Sequence, residues 1–145
     1  MRILRTWGDV LVLVGGLLTL IAAFLPFYST WGNAFADGLK PVATFPFFGA
    51  LVVLVLQALR AAPTMRTRLP LRVWRMSWPQ IDFCIAGYAF ICSILLVAGN
   101  AQGSGPAIGL ILSIPATLIL LVGVLAQYRE RVFAAKLRQG AGASQ

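Results

Sequence analysis

Apolar residues in this chain fall into four long runs, and the stretches between them are unevenly charged. Val10 to Tyr28 carries no charged side chain over nineteen residues. As a helix it would rise about 28 Å, close to a bilayer hydrocarbon core of about 30 Å. The second run, Phe47 to Leu59, is short. It reaches membrane length as a span over 44–62, with Pro46 in the first turn, where its missing N–H costs nothing. A third span is predicted over 82–99 and a fourth, the longest, over 106–128, with Asn100 to Gly105 as the turn between them. The last helix is expected to continue to about Arg138 as a cytoplasmic extension, with Val132, Phe133 and Leu137 packing on the membrane surface, and 139–145 to be a flexible tail.

These runs predict an all-α, polytopic membrane protein. Residues 1–138 would form a single four-helix transmembrane domain, an up-down bundle of two hairpins. Composition agrees: 59% of residues are hydrophobic and 11% charged, against roughly 25% charged in an ordinary soluble domain. A water-soluble chain of 145 residues could not hide that much apolar surface.

Charge sets the expected orientation. The stretch Arg60 to Gln80 holds five arginines and no acid, between two apolar blocks. Arg2, Arg5, Arg129, Arg131, Lys136 and Arg138 flank apolar runs on the same side, and only Lys40 falls on the other. Eleven cations against one place both termini and the middle loop in the cytoplasm. The formal charge of +8 is thereby accounted for by anionic headgroups, and nucleic acid is not an expected partner. Within that loop Arg66, Arg68, Arg72 and Arg75, interleaved with Trp74 and Trp78, fit a segment lying on anionic lipid. A docking patch for a cytosolic protein is the alternative. Arg60 is expected to snorkel to the headgroups, with Gln57 one turn deeper.

A cleaved secretory signal is the rival reading of the first run, with Ala34-Phe35-Ala36 as the cleavage site. The run exceeds the usual 7–15 apolar residues and ends well before that site, which favours a retained span. The two halves share a Trp–Asp opening (Trp7 and Asp9, Trp78 and Asp82) and a Pro-x-x-Gly start to their second spans. The likeness would make a parallel two-plus-two repeat, but the spacings differ by more than ten residues and any two helical hairpins share a start, a turn and a basic end, which favours coincidence.

Small residues supply the candidate packing faces. Gly105, Gly109, Ser113 and Thr117 recur every four residues in the fourth span, and Gly15, Gly16 and Thr19 do similar work in the first. Such stripes let backbones approach closely, either within the bundle or against another membrane protein. Pro115 removes a donor from the fourth helix and crowds the carbonyl of Ile111, so a kink is expected, with Ser113 or Thr117 serving the freed groups. Asp9 and Asp82 lie at helix starts, where a carboxylate complements the dipole. Pairing with Arg5 and Arg75 is the other possibility for these two acids.

No histidine is present to act as a base near neutral pH, and no carboxylate pair falls inside a span. Cys84 and Cys92 are too far apart on a helix for a disulfide. No cofactor, metal site or catalytic residue is expected.

Val14-Gly15-Gly16-Leu17-Leu18-Thr19-Leu20-Ile21, followed by Ala22 to Tyr28, resembles the first span of small four-helix membrane proteins of unknown function from actinobacteria. Ten arginines against two lysines suit such a high-GC source. The same Val-Gly-Gly phrase is similar to one in the GtrA-like lipid-carrier flippases, whose asparagine- and aromatic-bearing span ends have no counterpart here. Together these features point to a non-catalytic protein of the bacterial cytoplasmic membrane, an accessory or scaffold subunit partnered by lipid and other integral membrane proteins. A small oligomeric transporter or lipid flippase, using Gln57, Asn100, Ser113 and Thr117 around a shared cavity, is the alternative.

Overall fold

A computed structural model describes residues 7–26, 41–62, 76–100 and 108–142. They form four helices: α1 (Trp7–Phe24), α2 (Pro41–Ala61), α3 (Trp78–Asn100) and α4 (Ile108–Gly142). Each is long and apolar enough to cross a membrane.

The helix ends differ from expectation for identifiable reasons. Helix α1 starts at Trp7, ahead of the charge-free run, and takes Asp9 into its first turn. It stops at Phe24, two residues before Pro26, where Leu25 closes a last turn onto the Ala22 carbonyl. In α2, Pro41 occupies the first turn, so Pro46 lies inside the helix, where it cannot donate to Val42. Helix α3 begins at Trp78, four residues before Asp82, where Ser77 and Gln80 make one half of a capping box. The Ser77 carbonyl accepts from the Gln80 and Ile81 amides, while Gln80 Oε1 accepts from the Ser77 N–H at 2.8 Å. Helix α4 runs through Pro115, whose ring faces outward, and on to Gly142, past the start of the expected loose tail.

The four helices pack in a ring that follows chain order. Helix α1 meets α2, α2 meets α3, α3 meets α4, and α4 closes onto α1 along the most extensive seam. Neighbours run antiparallel, since Gly8 of α1 faces Gln127 of α4 while Gly109 faces the C-terminal end of α1. Between α2 and α4 there is only a narrow diagonal contact. A central core of Val12, Ala50, Val53, Ala86, Leu120 and Val124 draws on all four helices. Near the other end Ala23 and Leu110 pack with Phe47, Leu96 and Val97.

The radial order is the reverse of a water-soluble bundle. Alanine, glycine, serine and threonine dominate the interior, while Leu17, Ile21, Val52, Ile91, Leu95, Ile111 and Val122 point outward. Large side chains outside and small ones inside bring the helix backbones together, which is how dispersion contacts hold helices when water supplies no driving force.

Candidate functional site

The charged and amide side chains described within the helices collect at one end of the bundle, where α1 and α3 begin and where α2 and the apolar part of α4 end. Gln127 Nε2 donates to Asp9 Oδ1 at 2.7 Å, and Gln57 Nε2 donates to Gln127 Oε1 at 2.6 Å. One chain of amides and a carboxylate thus ties α1 to α4 and α4 to α2. On the other side of α2, Arg60 reaches Asp82 of α3. Its Nη2 donates to Oδ1 at 2.8 Å and contacts Oδ2 at 2.6 Å. The Asp82 side chain is wholly buried, and that of Arg60 is 13% exposed. The guanidinium also lies 5.9 Å from the Trp78 ring centroid. Arg60 Nε and Nη1 are buried without a hydrogen-bond partner, so the carboxylate holds the arginine by one nitrogen only.

This overturns the sequence reading of two residues. Arg60 turns to Asp82 of α3, and Asp82 faces α2 instead of capping α3. The early start of α3 at Trp78 places Asp82 just beyond the first turn, on the face turned toward α2, while Ser77 takes the capping role. Asp82 therefore pairs with Arg60; Arg75 and Arg5, the partners considered from sequence, lie outside the described residues. Gln127 went unnoticed in the sequence. It stands one turn deeper than Arg131, as Gln57 stands one turn deeper than Arg60, and that shared spacing was the available sign.

The arrangement ties helices together and offers little chemistry. A buried ion pair contributes modest net stability because both charges have lost water, but removing one partner costs about 3–5 kcal/mol. Its effect is on register: the short contacts of Gln127 and Arg60 fix how far each helix slides along its neighbour.

The packing residues singled out in the sequence occupy the helix seams. A Cβ on Gly15 would collide with the backbone nitrogen of Leu120 and stand 2.8 Å from its Cα. At Gly109 a Cβ would meet the carbonyl oxygens of Ala22, Leu25 and Pro26 at 2.9 Å, and the Gly109 N–H donates to Pro26 at the same distance. Gly16 receives the Leu54 side chain, with Cγ and Cδ2 at 2.8 Å from where a Cβ would stand. Gly123, unremarked in the sequence, lies against the backbone of Leu11 and Val12.

The buried hydroxyls serve their own helices. Thr19 donates to Gly15 at 2.7 Å, Ser113 to Leu110 at 2.7 Å and Thr117 to Ser113 at 2.7 Å, so the carbonyl freed by Pro115 is not their target. Trp78 opens α3 beside Arg60. Gly105, Arg66, Arg68, Arg72, Arg75 and Trp74 lie outside the described residues. No family model, no curated protein and no solved structure matches the chain.

Proposed function

We propose that this is a multi-pass protein of the bacterial cytoplasmic membrane, with both termini in the cytoplasm, that carries out no chemistry of its own. It serves as an accessory or scaffold subunit of a larger membrane assembly. One observation carries this reading: the polar groups within the spans engage one another or their own backbone. Asp9, Gln57 and Gln127 form one chain, Arg60 and Asp82 a pair, and the buried hydroxyls bond to carbonyls of their own helices. What the bundle presents outward is apolar, suited to lipid and to the flanks of other membrane proteins. The positive-inside asymmetry supports the orientation. A transporter or flippase would need Gln57, Asn100, Ser113 and Thr117 facing a shared cavity; the Asn100 side chain lies outside the described residues, and the other three are already engaged.

Purification in a series of mild detergents, with mass spectrometry of accompanying proteins, tests the role. A membrane protein recovered in fixed ratio is the expected result, and a lone monomer in every detergent overturns it. Topology is tested separately by labelling single cysteines placed in 63–75. Reaction with an impermeant reagent in intact cells would reverse the proposed orientation.

A further inference from the structure

Beyond the bundle, α4 carries a small open groove of about 210 Å³ lined by Tyr128, Arg129, Val132 and Phe133. Its lining combines one cation with exposed apolar surface: Phe133 is 66% exposed and Val132 39%. Of the three arginines whose side chains are described, Arg60 is held by Asp82 and Arg131 is also engaged. Of these three arginines, Arg129 is the one with no ion pair or side-chain hydrogen bond to the described residues. On a helix of 3.6 residues per turn, Glu130 and Arg131 point roughly a third of a turn away from the groove, so the one nearby acid does not face into it.

Depth identifies the occupant. From Ile108 to Tyr128 the helix rises about 30 Å, the thickness of the hydrocarbon core, and the next 5–7 Å or so is the headgroup layer. Arg129 to Phe133 fall in that layer on the arginine-rich side. We infer that this groove binds the phosphate of an anionic phospholipid. Arg129 extends its guanidinium outward to pair with the phosphate. The Tyr128 ring lies at the edge of the hydrocarbon core, and the Phe133 and Val132 side chains, which lean back toward the N-terminal end of the helix and hence toward the core, pack against the glycerol end of the acyl chains. The site rests on the membrane reading of the proposed function and adds to it a ligand class and an address. A cationic, apolar groove at headgroup depth complements a lipid, which brings an acidic group and hydrocarbon together.

The full chain is reconstituted in nanodiscs of equal phosphatidylglycerol and phosphatidylcholine, and retained lipids are read by native mass spectrometry. The wild type is expected to retain phosphatidylglycerol preferentially, and Arg129→Gln to lower that preference about fivefold, the equivalent of about 1 kcal/mol per cation near an anionic surface. Arg138→Gln, whose position on the helix lies about 15 Å past the core, should leave it unchanged. A benzophenone amino acid in place of Phe133 should crosslink to lipid. Equal retention of the two lipids, an equal loss in Arg138→Gln, or a crosslink to protein overturns the site. Failure of the chain to enter the bilayer overturns the membrane reading instead.

Discussion

Two seams of the bundle are built on opposite plans. Where α1 meets α4, backbone meets backbone: Gly15 lies on Leu120, Gly123 on Val12 and Gly109 on the carbonyls that end α1. Where α2 meets α3, side chains fill the space. Gly49 faces the Ile85 and Ala89 side chains, Phe45 meets Tyr88 edge-on at 4.4 Å, and Arg60 closes on Asp82. A backbone seam is rigid because nothing in it can rotate away, while a side-chain seam can adjust by changing rotamers. The two should therefore tolerate added volume very differently.

The largest effect is expected at Gly15. A single methyl there meets the Leu120 backbone, which can yield only if α1 and α4 separate. Overpacking usually costs about 1–3 kcal/mol, and with no flexible side chain to move, Gly15→Ala should reach the top of that range or exceed it. Gly123→Ala should behave alike, since its Cβ would stand 2.6 Å from the Val12 nitrogen. Reversible unfolding in mixed micelles measures both. A loss under about 1 kcal/mol would mean that the backbone seam is looser than its geometry.

Next comes the ion pair on the side-chain seam. Asp82→Ala leaves a guanidinium that is mostly buried and already short of partners. Arg60 stands one residue from the end of α2 and can turn toward the headgroups, so the loss should be about 2–3 kcal/mol, below the figure for a fully trapped charge. Replacing both residues, as Arg60→Met with Asp82→Leu, should cost less than Asp82→Ala alone, the mark of a coupled pair. If the double replacement instead equals the sum of the singles, the two residues are not acting together.

How much of this was legible in the sequence follows from which contacts are local. Four apolar helices could be read from run lengths alone, because a span needs about twenty apolar residues wherever it sits in the fold. Gly15 in α1, and Gly109 and Thr117 in α4, were visible as members of small-residue stripes, but spacing cannot tell which helix lies opposite, nor whether the face turns inward. Arg60 and Asp82 were misread because each looked complete locally, one as a snorkelling end residue and the other as a dipole partner. Their pairing needed the register of α2 against α3, and that depends on α3 starting at Trp78. The Ser77–Gln80 half of a capping box was present as a Ser-x-x-Gln pattern, hidden by the Pro79 between them, which is itself compatible with a first turn. The spacing of Gln127 from Arg131 was visible in its own segment, but its partners were not, since they are 70 and 118 residues away.

A smaller effect is expected at Gln127. Replacing it with leucine removes donors and acceptors from both Asp9 and Gln57 while keeping similar bulk. Hydrogen bonds between membrane helices contribute about 0.6 kcal/mol on average, so losing two should cost about 1 kcal/mol. Unfolding in the same micelles reads it, with Gln57→Leu as companion. Because Gln57 touches only the outer link of the chain, its loss should be the smaller; the reverse order would place the weight of the network on α2.

The smallest effect, and the sharpest contrast with Gly15, belongs to Gly87. It lies on α3 facing α4, where a Cβ would meet only Leu121 Cδ1, at 4.0 Å, an ordinary contact with the free end of a side chain. Nothing has to move, and alanine in a helix interior is favoured over glycine by roughly 0.5–1 kcal/mol because it loses less backbone freedom on ordering. Gly87→Ala is therefore expected to be neutral or slightly stabilising in the assay where Gly15→Ala strongly destabilises the bundle. The same methyl on two neighbouring seams then gives opposite signs, and the difference isolates what faces each glycine, backbone in one case and an adjustable side chain in the other. A loss at Gly87 as large as at Gly15 would show that α3 and α4 also meet through their backbones, making their seam like the one between α1 and α4.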